Sequence, residues 1–130
     1  MSSKTKRVSL ALITNSQDNI LMGKRNDNDR WTIPGGHLRN NECPFVGVAR
    51  ECLEETGLIA KKIKMVRAKK VKGIMLYLFV VEVDPEQVPD ASNDPDKEVD
   101  EWDYTDPNDV RDNLHVAAKD NIAIEYWAYN

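Results

Sequence analysis

The sequence predicts an α+β fold, in the form of an α/β/α sandwich, and three observations point that way. Short β-rich segments separated by polar turns open the chain, an amphipathic helix follows a Pro-Gly-Gly turn at 34–36, and two long strand-like runs precede a second helical segment at 116–127. Paired strands bury a face only where something covers it, and two helices supply the cover. With 130 residues the chain has the length of one domain, so 1–130 reads as a single unit.

Residues 7–14 form the first strand, Asn15 to Asn19 a polar turn, and residues 20–25 its antiparallel hairpin partner. After a polar loop at 26–30, Trp31, Thr32 and Ile33 lead into Pro34, Gly35 and Gly36, where glycine permits a tight turn. Asn40 or Asn41 caps the helix that follows, Glu42 favours the positive end of its dipole, and Pro44 is tolerated in its first turn. Gly57 stops it. Residues 60–72 carry seven cations, Lys61, Lys62, Lys64, Arg67, Lys69, Lys70 and Lys72, interleaved with Ile63, Met65, Val66 and Val71. That is a strand with a basic face, which either blocks edge pairing or contacts phosphate or RNA. Residues 74–83 are almost wholly apolar and read as a buried central strand, 84–97 as a proline-rich surface loop, and 99–104 as a further strand. A closing helix at 116–127 turns Ile122 and Tyr126 inward.

The helix after Gly36 is where chemistry concentrates. At about 100° per residue, Glu54 lies about 60° to one side of Glu51 and Glu55 about 40° to the other, so the three acids share a face. Phe45, Val48, Ala49, Cys52, Leu53 and Thr56 make up the opposite, apolar arc. Gly47 falls within the acidic face, where it costs helix stability of about 1 kcal/mol relative to Ala and leaves room for a ligand. Like charges at i,i+4 repel, so a cation belongs among them. Arg50 partly serves, and a hard divalent ion with oxygen ligands serves better. The plain alternative is a solvated acidic helix face.

Spacing beyond the helix separates these readings. The pattern Gly36-x5-Glu42-x7-Arg50-Glu51-Cys52-x-Glu54-Glu55-x-Gly57-Leu58 resembles an intact Nudix box, departing only at Cys52, where the family usually carries a bulky aliphatic residue. The run 20–25 and the Trp31-x-x-Pro34-Gly35-Gly36 lead-in resemble the family as well. The resemblance implies a Nudix fold, a mixed β-sheet sandwiched between α-helices. It also implies a Mg²⁺ site, with Mn²⁺ as a substitute, built from Gly36, Glu51, Glu54 and Glu55, with Arg50 orienting a glutamate, Glu42 buttressing the arrangement and Arg25 near the phosphates. For the general base, Glu98 with Trp102 and Tyr104 resembles an element of RNA 5′ pyrophosphohydrolases, Glu101 matches the MutT-type arrangement, and Glu51 is the box alternative. The activity implied is hydrolysis of a pyrophosphate linkage in a nucleoside diphosphate derivative. A free (deoxy)nucleoside triphosphate is the first substrate expected and an RNA 5′ end the second. A non-catalytic nucleotide-binding module is the alternative of a different class.

A net charge of −4 means that overall electrostatics would not recruit nucleic acid or an anionic membrane, so a polyanion must be bound locally through metal or a basic patch. No apolar N-terminal stretch and no apolar run near 18 residues occur, so a cytoplasmic location without membrane contact is expected. Cys43 and Cys52 would stand roughly 13 Å apart on a helix, too far for a disulfide. His37 either touches phosphate or faces solvent, and His115 reads as structural. Trp31, Trp102 and Trp127 are either base-stacking or core residues.

Overall fold

The computed structural model of the chain describes residues 6–27, 29–92, 94–95, 98–106, 108–109, 122–123 and 125–126. Seven strands and one complete helix follow in the order β1 (Lys6–Leu12), β2 (Ile20–Arg25), β3 (Trp31–Thr32), β4 (Gly35–His37), α1 (Pro44–Thr56), β5 (Ala60–Val71), β6 (Ile74–Val83) and β7 (Val99–Thr105). The α+β class holds. A four-stranded mixed sheet has the order β4-β1-β6-β5, and a second sheet of three antiparallel strands has the order β3-β2-β7.

The opening hairpin is where the expectation fails. β1 and β2 belong to different sheets, and their ends meet at a bridge between Thr14 and Ile20 and at the Leu21 N–H donating to the Ile13 carbonyl at 2.8 Å. The cause is competition for edges: β1 pairs antiparallel with β4 on one side and parallel with β6 on the other, so no ladder is left for β2. β2 takes β3 and β7 instead. The expected central strand β6 is central, held between β1 and β5, while β5 is an edge strand whose exposed lysines guard it.

Alternation along β1 divides the interior in two. Val8, Leu10 and Leu12 enter one cluster with Ile20, Met22, Leu76, Leu78, Ile122 and Ala123. Ala11 and Ile13 enter the other with Val48 and Cys52 of α1, Phe79, Val81, Val99 and Trp102. α1 therefore covers one face of the mixed sheet, and Ile122 and Ala123 pack on the other, as period-2 side chains allow. Ile122, Ala123, Glu125 and Tyr126 are helical, as the closing helix predicts; the rest of 116–127, with Trp127 and nearby His115, lies outside the described residues. Among the described residues no helix is long and apolar enough to cross a membrane.

α1 differs from its wheel in detail. Val48, Cys52 and Thr56 are buried, but Phe45 and Leu53 remain 41% and 53% exposed. The Phe45 ring meets Phe79 edge-on at a centroid distance of 4.9 Å. Neither Asn40 nor Asn41 caps the helix: Cys43 is the extended residue before it and forms no side-chain cap, while Pro44 fills a first-turn position that needs no N–H donor. Asn41 serves as a left-handed turn residue, at φ 61°. Gly57 does end the helix, at φ 71°, its N–H donating to the Leu53 carbonyl at 3.0 Å. Both cysteines are free, Cys43 exposed and Cys52 buried, and burial pushes the Cys52 thiol up to about 12.

Trp102 fastens the two halves together. It is buried on β7, and its indole N–H donates to the Glu55 carbonyl in the last turn of α1 at 3.1 Å. Trp102→Phe keeps most of the packing and orphans that carbonyl, so stability should fall by about 1–2 kcal/mol. A thermal melt checks this, and an unchanged midpoint would show that the bond contributes nothing.

Candidate active site

The turn through β4 and the loop to α1 bring the candidate residues together because glycine occupies the closest approach. Gly36 pairs with Ser9 of β1, and a Cβ added to it would stand 2.8 Å from the Glu51 carboxylate. Gly35 donates its N–H to Glu55 Oε1 at 3.3 Å, so the two glycines face two of the helix acids.

Arg50 sits at the centre of the acidic face. Its Nε and Nη2 donate to both carboxylate oxygens of Glu42 at 2.8 and 2.9 Å, while Nη1 bridges Glu51 at 3.0 Å and Glu54 at 3.2 Å. Nη2 also reaches the His37 carbonyl at 3.3 Å. Its side chain is 17% exposed, and that of Glu42 only 9%. Hydrogen bonding to Arg50 lowers the Glu42 carboxyl to about 2, and the Arg39 N–H adds a bond at 2.9 Å. The same bonds raise the Arg50 pKa further. The cation anticipated among the repelling acids is thus partly the chain's own, and Glu42 serves it rather than the helix dipole.

Two expectations change here. The space beside Gly47 is not open to a ligand, since a Cβ there would overlap Leu38 Cδ2 and stand 3.2 Å from Glu42 Oε1. Gly47 is glycine so that Leu38 and Glu42 can close over the helix. Arg39, which the sequence reading passed over, faces Glu54 across 3.8 Å. It lies in an irregular loop, where no periodicity marks a residue.

A cleft of about 410 Å³ runs over the glycines, lined by Gly36, His37, Glu51 and Glu55 on one side and by Arg25 and Glu98 on the other. Glu54 is not on its wall, being turned toward Arg50 and Arg39. Arg25 binds Asp27 through Nε and Nη2 at 3.0 and 2.9 Å and lies 3.6 Å from Glu98 Oε2, so it is ion-paired while still lining the cleft. Glu101 faces a separate hollow, shared with Arg25 and Trp31. Trp102 is a core residue.

The donor set suits a hard divalent cation, since every candidate ligand is an oxygen and the side-chain-free Gly36 leaves its peptide close to Glu51. Among the described residues no three His, Cys, Asp or Glu side chains are gathered tightly enough to chelate an ion by themselves. With Arg50 bridging Glu51 and Glu54, an ion would draw part of its shell from backbone and substrate oxygens, as Mg²⁺ commonly does.

Residues 4–126 match the model of the NUDIX domain family. The chain belongs to the Nudix family. It is 37% identical over 75 residues to a MutT-like protein of Streptomyces ambofaciens, a stretch amounting to 55% of this chain and 49% of that one. It is 36% identical over 59 residues to an RNA pyrophosphohydrolase of Hydrogenovibrio crunogenus, covering 45% and 36% of the two chains. The Nudix chain thus spans about half the length, or less, of these curated relatives. Its fold superimposes on a solved structure from work on MutT of Aliivibrio salmonicida and Vibrio cholerae, with a TM-score of 0.78, 18% identity, and 97% and 98% of the two chains covered.

Glu42→Gln should lower stability by about 2 kcal/mol at neutral pH, the worth of a charge-assisted hydrogen bond. The Glu42 carboxyl is depressed from 4.5 to about 2, so its contribution is complete above pH 4.5 and is lost as pH falls toward 2. Denaturant midpoints of the two proteins should therefore converge across that window, and a constant gap would locate the effect elsewhere.

Proposed function

We propose that the chain is a Nudix pyrophosphohydrolase that uses water to cleave a pyrophosphate linkage in a nucleoside diphosphate derivative, with the free (deoxy)nucleoside triphosphate as its minimal substrate. The observation that carries this reading is the cleft in which Gly36, Glu51 and Glu55 face Arg25 and Glu98. A polyphosphate and a carboxylate cluster repel unless cations lie between them. A divalent cation held by Glu51, Glu55 and the Gly36 carbonyl, with Glu54 adjoining, would neutralise charge building on the phosphate and acidify a coordinated water.

The chain's own groups do the rest. Arg50 fixes the carboxylates of Glu51 and Glu54 at 3.0 and 3.2 Å, so their geometry exists before substrate arrives. Arg25, on the opposite wall, is a cation that can exchange the Asp27 carboxylate for a phosphate oxygen. Glu98 is the general base of choice, since it faces the helix acids across the cleft while Glu101 points into another hollow. In the step proposed, the water oxygen bonds to phosphorus and its proton passes to Glu98. The anhydride P–O bond breaks, and its electron pair leaves with the departing phosphate. Trp31, partly exposed beside Arg25, offers a face on which a base can stack.

An RNA 5′ end is the second reading. It is favoured by the position of Glu98, the acid whose spacing to Trp102 and Tyr104 resembles RNA 5′ pyrophosphohydrolases, and by the likeness to a protein of that description.

Glu55→Gln and Glu54→Gln keep shape and remove charge, so turnover with Mg²⁺ should fall by about two orders of magnitude or more. Stability should be nearly unchanged. Wild-type rates in product-resolved assays across nucleotides, dinucleotides, nucleotide sugars and triphosphorylated RNA would displace the metal site.

Glu98→Gln should lower kcat by about 10²–10⁴-fold with little change in KM. Glu101→Gln should change kcat by less than about threefold, as suits a residue making no contact in the transition state. Equal, small effects would move the base to Glu51.

A further inference from the structure

A second, wider hollow lies next to the cleft rather than in it. It is a groove of about 790 Å³ at the N-terminal end of α1, whose walls include Lys6, Arg7, His37, Arg39 and Glu42. His37 lines both spaces, so the groove and the cleft are neighbours. Its acid, Glu42, has both oxygens bound to Arg50. The Arg7 guanidinium is held at the groove by donating from Nη2 to the Arg39 carbonyl at 3.1 Å, and the Arg39 side chain is 69% exposed.

Register extends this cationic surface across the sheet. Arg7 pairs with Met75 of β6, and Met75 with Lys70 of β5, so Arg7 and Lys70 share one row and one face. With strands about 4.8 Å apart, Lys70 stands roughly 10 Å beyond Arg7. That row is two residues along β1 from the Ser9–Gly36 level of the cleft, on the same face of the sheet. Lys61 and Lys62 belong to the other end of β5, where Lys62 lies opposite Glu82. The seven cations read as one basic strand therefore divide, and the end carrying Lys70 adjoins the groove. Tyr77, two residues along β6 from Met75, lies on the same face as the row and is partly buried against the core.

We infer that this groove and row bind the backbone of a single-stranded oligonucleotide whose 5′-terminal polyphosphate lies in the cleft. The inference deepens the hydrolase reading and rests on it for the placement of the 5′ end. A free triphosphate has no atoms to set along a surface that begins where the cleft ends and runs outward past Arg7. A chain of phosphodiesters does, and a positively charged groove that tracks the backbone is what holds a single strand. In a protein of net charge −4 the row is a local feature, so binding depends on these few residues.

The test compares a 5′-triphosphorylated tetraribonucleotide, its deoxy counterpart and the matching free triphosphate, with Mg²⁺, on wild type, Arg7→Gln/Lys70→Gln and Lys61→Gln/Lys62→Gln. Fluorescence anisotropy across a salt series measures oligonucleotide binding alongside hydrolysis. Wild type should show a higher kcat/KM for an oligonucleotide than for the free triphosphate, and whichever sugar is preferred identifies RNA or DNA. The Arg7/Lys70 variant should lose about tenfold on the oligonucleotide and flatten the log–log salt dependence by about 1.4. It should hydrolyse the free triphosphate within about twofold of wild type, since neither residue lines the cleft. The Lys61/Lys62 variant should match wild type throughout. Should Arg7→Gln disturb folding, Lys70→Gln alone, at an exposed position, should lose about threefold.

Cleavage of nucleotides without tighter oligonucleotide binding, or oligonucleotide binding indifferent to Arg7 and Lys70, would overturn the inference and leave the hydrolase reading intact. Oligonucleotide binding that depends on Arg7 and Lys70, with no hydrolysis of any substrate, would do the reverse.

Discussion

The charged centre of this domain depends on one partly buried guanidinium. Arg50 engages Glu42, Glu51 and Glu54 and reaches the His37 carbonyl as well, so a single side chain ties helix, loop and sheet edge together. Without it, three carboxylates, one on the loop before the helix and two on the helix, would splay apart toward water. With it, they are held at fixed positions and still bear more negative than positive charge. The cost of burying such a cluster is met by geometry: both Glu42 oxygens meet the guanidinium fork, the bidentate arrangement in which this kind of pair is strongest.

Much of this was legible in the sequence because it is local. Glu51, Glu54 and Glu55 share a face by helical arithmetic alone, and Gly36, Glu42 and Arg50 are placed by fixed spacing in a short stretch. The lengths of β5, β6 and β7 could be read from alternation and from the apolar run. What could not be read is pairing between distant segments. β1 and β2 look like a hairpin, and nothing in either strand says that β6, more than sixty residues later, will take the edge. Cys43 precedes α1 where asparagines stood ready, because the loop spends Asn41 on a left-handed turn. Gly47 seemed to leave an opening, and only the fold reveals that Leu38 fills it.

The two interior clusters explain how a small domain keeps such a charged centre in place. α1 is pressed onto the mixed sheet through Val48 and Cys52, while Trp102 from the other sheet bonds its last turn. The apolar side fixes where the helix lies, the glycines of β4 let the sheet edge come close, and the polar side is left at the surface with little freedom. Ser9, in register with Gly36, keeps a buried hydroxyl that has no hydrogen-bond partner, so even the strand beneath the site is polar there.

The separation of β1 from β2 divides the labour of the cleft. Gly36, Glu51 and Glu55 stand on one sheet and its helix, whereas Arg25 belongs to β2 and Glu98 to the segment entering β7. No hydrogen bond of Arg50 crosses between these halves. One wall can thus be rewritten by substitution or insertion in the loops around β3 and before β7 while the other remains intact. For a family of related chains, that is a structural licence to vary one wall without rebuilding the other.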